Sequence, residues 1–167
     1  MEIERKFLVD LNKNPYDLTT AKVLRIEQAY LCTGPVVRIR QEDDKYYLTY
    51  KSKGNATDNE WMLAHQEYNL PLDKESYEHL LKKADGNIIT KDRYLLPLDN
   101  DLVIELDIFK GVFDGMVLAE VEFPDIEAAN NFVPPEWFTK DVTYDTNYHN
   151  SVLSTKKVSH YTKKMAD

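Results

Sequence analysis

Cysteine is almost missing from this chain: Cys32 is its single example in 167 residues. One thiol cannot close an intrachain disulfide or build a multi-cysteine zinc site, and the plain expectation is a reducing, cytoplasmic setting. Glycine is scarce as well, with five in all. No glycine-rich loop is available to wrap an anion in backbone N–H groups, so an anion would have to be gripped by side chains. No apolar run approaches the ~20 residues that span a bilayer, and the charged opening "MEIERKFLVD" lacks a signal-peptide core; no membrane attachment is expected. Positive charge is outnumbered, 21 Lys and Arg against 29 Asp and Glu, for a net charge of −8. That balance argues against nucleic acid as a partner. The one locally basic stretch, 156–164, reads as a solvated helix face or a tail.

What is present points to a packed, mainly β domain. Hydrophobic residues make up 43% of the chain and aromatics 11%, enough for one core. Residues 1–9, 22–31, 36–42, 45–51, 61–70, 87–96, 102–109 and 116–123 carry alternating or β-branched patterns bounded by turn residues, and predict eight strands. Residues 73–86 have an acidic start, apolar residues at helical spacing and a terminal Gly86, and predict a helix. "PDIEAANNF" (124–132) starts a second helix, and a short C-terminal helix is expected after "VTYDTNYHN". Residues 1–155 are expected to form one domain, and 156–167 a basic helix end or tail.

Charge recurs at spacing two. Glu2, Glu4 and Lys6 share a strand face, as do Arg38 and Arg40; Tyr47, Thr49 and Lys51; His65, Glu67 and Asn69; Lys91 and Arg93; Glu105 and Asp107; Glu120 and Glu122. Strand by strand, the wet face of an antiparallel sheet looks like this. The set differs in two ways: its charges come in same-sign pairs, and the opposite faces are rich in branched and aromatic residues. About eight strands suffice to close a barrel. The expected fold is therefore α+β and mainly β: an eight-stranded antiparallel closed β-barrel with a charged lumen, apolar outer faces and a few flanking helices. A charged lumen is costly unless its charges are paired or filled by a ligand. Arg and Lys suit phosphate oxygens, and carboxylate clusters suit Mg²⁺ or Mn²⁺. The expected occupant is a metal-bound polyphosphate.

The ordered series resembles the CYTH domains, or triphosphate tunnel metalloenzymes. Glu2-x-Glu4-x-Lys6 is similar to their ExExK signature, Arg38-x-Arg40 to their RxR pair, and "LTYKSKG" (48–54) to the strand carrying their lysine. Lys91-x-Arg93 is similar to a second basic pair, "VIELDIFKGVFDGMVLAEVEF" (103–123) to the acidic hairpin, and "VTYDTNYHN" (142–150) to the C-terminal signature. The resemblance implies an antiparallel tunnel and divalent-metal chemistry on a triphosphate. It implies that Lys6, Arg38, Arg40, Lys51, Lys91 and Arg93 hold phosphates, with Lys53 at the tunnel mouth. Glu2, Glu4, Asp107, Glu120 and Glu122 would hold Mg²⁺ or Mn²⁺, with Glu67 and Glu105 nearby. One strand departs from the pattern: small bacterial members read Arg-Glu-Glu-Tyr-Glu where this chain has His65-Gln66-Glu67-Tyr68-Asn69. A cation and a carboxylate are thereby lost.

The expected activity is hydrolysis of inorganic tripolyphosphate, with Lys6 positioning the water or terminal phosphate and Glu4 or Glu122 accepting a proton. The alternatives are a class IV adenylate cyclase and a non-catalytic binder of polyphosphate or nucleotide. The apolar outer strands are compatible with a homodimer. Cys32, His79, His149 and His160 carry no expected chemistry. Trp61 and Trp137 read as packing residues, with base stacking the other use open to Trp61.

Overall fold

Side-chain alternation decides this architecture, because each strand must bury one face and solvate or pair the other. The architecture is that of a computed structural model, which describes residues 1–52, 57 and 63–156. Lys53, Trp61, His160 and the 157–167 part of the expected tail lie outside the described residues. The strands are β1 (Glu2–Val9), β2 (Lys22–Thr33), β3 (Val36–Glu42), β4 (Lys45–Ser52), β5 (Ala64–Leu72), β6 (Asp85–Pro97), β7 (Val103–Lys110), β8 (Val117–Glu122) and β9 (Phe138–Asp141). Their order is β5-β4-β3-β2-β6-β7-β8-β1-β9, and β1 also pairs with β5. Eight antiparallel strands thus close into a barrel, removing the open edges of a flat sheet.

The closing seam is short. Glu2 and Ile3 face His65 and Ala64, and farther along β1 the same edge is taken by β9, from Phe7 to Val9. β9 is an addition to the eight expected strands; it extends β1 where β5 has left it.

Among the described residues, three short α-helices flank the barrel: α1 (Lys74–Leu81), α2 (Ile126–Asn131) and α3 (Asn150–Leu153). Asp73 caps α1 by accepting from the Ser76 backbone N–H at 2.7 Å. Asp125 does the same for α2 through the Ala128 N–H, also at 2.7 Å. The helix expected over 73–86 stops at Leu81, and Gly86 lies inside β6. That glycine serves packing, not helix termination. Its φ is +73°, and a Cβ there would come within 2.1 Å of the Ser154 carbonyl oxygen.

The charged strand faces do point inward: Lys6, Arg38, Arg40, Lys91, Arg93, Asp107 and Glu120 are all buried. Outside the wall, Ile3, Phe7, Ile104, Leu106, Ala119, Val121 and Phe123 pack with Ala129 of α2 and with Trp137 and Phe138. The Phe7 and Phe138 rings lie 4.9 Å apart. Among the described residues, helices do not cover the whole exterior. α1 reaches β4 through the Tyr77–Tyr46 ring pair, while Tyr50, Tyr68 and Leu70 stay exposed on β4 and β5.

The lumen is charged over only part of its length. Two residues beyond the charged positions, the same inward faces carry Leu8, Tyr30, Val36, Ile89, Phe109 and Leu118. These pack with Phe113, Met116, Val142 and Leu153 of α3. An apolar plug therefore fills one end of the barrel, and the ionic half lies against it. No helix among the described residues is long and apolar enough to cross a membrane.

Candidate active site

Antiparallel register sets the charged residues opposite one another. Glu4 faces Glu122 and Lys6 faces Glu120, Arg93 faces Asp107, and Lys51 faces Glu67. The ionic half encloses a cavity of about 200 Å³ lined by Glu2, Glu4, Arg38, Arg40, Glu42, Lys51, Glu67, Arg93, Glu105, Glu120 and Asn150, with Leu24 and Leu95. A second cavity of about 50 Å³ shares Glu4, Arg38, Lys51 and Asn150, and adds Lys6, Tyr30, His65 and His149.

Three groups of charges differ in how far they are committed to one another. The deepest group is saturated. Asp107, fully buried, accepts from Arg93 Nε at 2.7 Å and Arg93 Nη2 at 2.8 Å, and from Lys91 Nζ. Burial alone would raise the Asp107 carboxyl, but Arg93 and Lys91 hold it below its usual value. Lys91 is driven down by burial, only partly opposed by Asp107, and its ammonium also sits over the Phe109 ring at 5.4 Å. Lys91 lines neither cavity, and the Asp107 oxygens are occupied. In this geometry both hold Arg93 in place, and neither lines either of these two cavities. Glu120 is committed likewise, to Lys6 Nζ at 3.1 Å and Arg93 Nη2 at 2.8 Å. Burial opposes the charge on Lys6, yet Glu120 and Glu4 hold its pKa above the ordinary lysine value.

The second group is cationic and has unused capacity. Arg38 Nη2 donates to Thr49 Oγ1 at 3.1 Å, and Thr49 donates to Asn69 Oδ1 at 2.6 Å. Arg40 Nε donates to Gln28 Oε1 at 2.9 Å. Arg38 Nε and Gln28 Nε2 are buried and find no hydrogen-bond partner among the described residues. Buried donors without acceptors are costly, and phosphate oxygens would satisfy them.

The third group is acidic and sits at the open end. Glu2, His65 and Glu67 bring ligand atoms within 4.8 Å of one another. Lys51 Nζ lies among them, 3.2 Å from Glu2 Oε2, 3.0 Å from His65 Nε2 and 3.1 Å from Glu67 Oε2. His65 Nε2 is also 2.6 Å from Glu2 Oε2; it can donate to Glu2 or accept from Lys51, depending on tautomer. Among the described residues, Glu4 comes no nearer a cation than 4.0 Å from Lys6. Glu122 is exposed, and its pKa is raised by burial and by Glu2, Glu4 and Glu67. Converging, incompletely neutralised carboxylates with one imidazole fit Mg²⁺ or Mn²⁺ in chemistry and charge.

The sequence placed Thr49 on the Lys51 face and Asn150 at the end of "VTYDTNYHN" without giving either a role, and Gln28 was passed over. Thr49 and Gln28 were detectable as same-face neighbours of Lys51 and of the β2 lumen positions. Asn150 gave no periodic signal, because it reaches the bore from α3. His149, expected to have no part, lines the smaller cavity and is fixed by a 3.0 Å contact from Nε2 to the Thr143 carbonyl.

Glu105 gives a pH prediction. Its carboxyl contacts Arg93 Nη1; burial, opposed by Arg93 and reinforced by Glu120, Asp107 and Glu4, pushes it up to about 7 from 4.5. A raised carboxyl binds its proton more tightly in the folded state. The stability so gained is fully present below pH 4.5 and is lost as pH rises through about 7. In metal-free buffer, the melting temperature of Glu105→Gln should therefore gain on the wild type between pH 5 and 8. A constant gap would show that Glu105 titrates normally.

The order of these residues along the chain matches the CYTH domain over residues 1–152. The chain belongs to the CYTH family. This CYTH protein is 35% identical over 156 residues to an inorganic triphosphatase of Nitrosomonas europaea, covering 92% of the present chain and 96% of that protein. It is 34% identical over 156 residues to an inorganic triphosphatase of Acetivibrio thermocellus, covering 91% and 92%. Among solved structures, the crystal structure of the inorganic triphosphatase NE1496 matches with a TM-score of 0.68 at 34% identity, over 94% of this CYTH chain and 96% of that one.

Proposed function

We propose that this protein is a divalent-metal-dependent triphosphatase that hydrolyses inorganic tripolyphosphate inside the ionic half of its barrel. One observation carries the reading: Arg38, Arg40, Lys51 and Arg93 converge with Glu2, Glu4, Glu105 and Glu120 on a single cavity of about 200 Å³. The relatives at 34% and 35% identity, both inorganic triphosphatases, support hydrolysis over cyclisation or binding alone.

The residues act as follows. Arg38, Arg40 and Lys51 bind the phosphate chain, Arg38 through its free Nε. Arg93, aligned by Asp107 and Lys91, neutralises charge that shifts during transfer. Glu120 holds Lys6 toward the smaller cavity, where its ammonium orients the terminal phosphoryl group or the attacking water. Mg²⁺ or Mn²⁺, held by Glu2, Glu4 and Glu122 with Glu67 and His65 beside them, would supply Lewis-acid polarisation of phosphate oxygens and acidify bound water. A carboxylate of this set receives the proton of the attacking water, either Glu4, which lines both cavities, or Glu122, which faces it across the β1–β8 pair.

The test is incubation with tripolyphosphate, or separately ATP, and Mg²⁺ or Mn²⁺. Release of orthophosphate from tripolyphosphate is expected. Cyclic AMP with pyrophosphate from ATP would make it a cyclase, and saturable binding without turnover would make it a binder. Arg40→Ala should raise KM for tripolyphosphate by about 10- to 100-fold, the value of a charge-assisted hydrogen bond, while changing kcat by less than about 5-fold. The converse split would give Arg40 a role in the transition state alone.

A further inference from the structure

Asn150 is the first residue of α3, a segment outside the barrel wall, yet its side chain lines both cavities. The segment carrying it is anchored at both ends. Upstream, His149 Nε2 contacts the Thr143 carbonyl at 3.0 Å, and Thr143 Oγ1 accepts from the Lys6 backbone N–H at 3.0 Å. Downstream, Leu153 is wholly buried in the apolar plug. The Asn87 side-chain amide donates to the carbonyls of Leu153 at 3.1 Å and Lys156 at 2.7 Å. The Asn87 backbone N–H donates to the Ser154 carbonyl at 2.7 Å, an approach that Gly86 permits. Asn150 is thus presented to the bore by a fixed support.

Its carboxamide is not satisfied there. Asn150 Oδ1 is buried without a hydrogen-bond partner among the described residues, as is Arg38 Nε in the same lining. A carboxamide offers two N–H donors and an acceptor, and a half-turn about its terminal torsion exchanges them. In the orientation that turns Nδ2 to the cavity, it would stand in the same lining as the free Arg38 donor. Both would then meet the oxygens of one phosphate, without adding charge to an already cationic wall. Past the two cavities the inward faces carry the apolar residues of the plug, which offer a further phosphate no donor.

We propose that Asn150 contacts the innermost phosphate of the bound chain and, standing on the plug, limits that chain to three phosphates. The proposal rests on the triphosphatase reading, whose substrate it refines. Asn150→Ala should raise KM for tripolyphosphate by about 10-fold with kcat changed less than about 3-fold, the loss of one hydrogen bond to a charged group. It should also lower the preference for tripolyphosphate over tetrapolyphosphate, in kcat/KM, by about 10-fold. Asn150→Asp keeps the shape but places a negative charge against the substrate. It should raise KM further while leaving the melting temperature unchanged or higher, since an acid suits the first turn of a helix; a purely structural role for Asn150 would not separate stability from KM in this way. Unchanged KM and chain-length preference in both folded variants would overturn the proposal, as would a wild type that cleaves both chains equally well. A wild type that releases no phosphate would defeat the triphosphatase reading instead. Calorimetric titration with tripolyphosphate would then test Asn150 alone, equal affinities of wild type and Asn150→Ala refuting the contact.

Discussion

Glu4→Gln should abolish metal-dependent phosphate release, lowering kcat at saturating Mg²⁺ by at least about 100-fold, the scale of losing a transition-state charge stabiliser. The reason is local. Glu120 is spent on Lys6 and Arg93, and Asp107 on Arg93 and Lys91. Glu4 stands opposite Glu122 in register and lines both cavities, with no cation among the described residues closer than 4.0 Å. Gln keeps the volume and removes the charge. Its melting temperature should hold or rise, because repulsion with Glu2 and Glu122 is relieved. Phosphate release within about 3-fold of wild type at saturating Mg²⁺ would remove Glu4 from the metal site.

Asp107→Ala should be the most damaging substitution for stability, at about 3–5 kcal/mol, because it strands Lys91 and Arg93 without their shared counter-ion in the barrel interior. In a chain of this length, that corresponds to a fall of roughly 6–20 °C in melting temperature. Asp107, Lys91 and the Arg93 guanidinium are nearly or wholly excluded from solvent, so water cannot replace the lost carboxylate. Urea denaturation of the metal-free protein gives the measurement, and a loss below about 1 kcal/mol would mean that the group relaxes onto Glu105 and Glu120. Activity should fall as well, through misalignment of Arg93 rather than through loss of a metal ligand.

These two carboxylates carry one lesson about legibility. Glu4 and Asp107 look alike in the sequence: each lies on a strand face of period two and pairs with another acid two residues away. Period-two spacing placed both on the inward face, and both are there. It could not say which would keep a free lone pair, because that depends on which cation lies across the sheet. Lys91 shows the same limit, facing inward as expected yet buried against Asp107, away from both cavities. The plug was partly readable: a step of two beyond Lys6, Lys91, Asp107 and Glu120 lands on Leu8, Ile89, Phe109 and Leu118. Asn150 was readable only as the end of the "VTYDTNYHN" resemblance and not as a lumen residue, since a single asparagine after a loop has no period to betray it. The end of α1 was misjudged because Gly86 is a familiar stop signal, whereas its true constraint is a carbonyl oxygen 68 residues away in the chain, at Ser154.

Sequence by itself determined the eight barrel strands, the inward turn of the charges and the kind of ligand they suit, because alternation and side-chain chemistry are local properties. Tertiary structure alone decided how the charges are divided between propping the wall and facing the cavity, where the bore ends, and which residue from outside the barrel completes it. Those outcomes depend on the stagger between neighbouring strands and on contacts made across the closed ring, and neither is encoded in the spacing along any one strand.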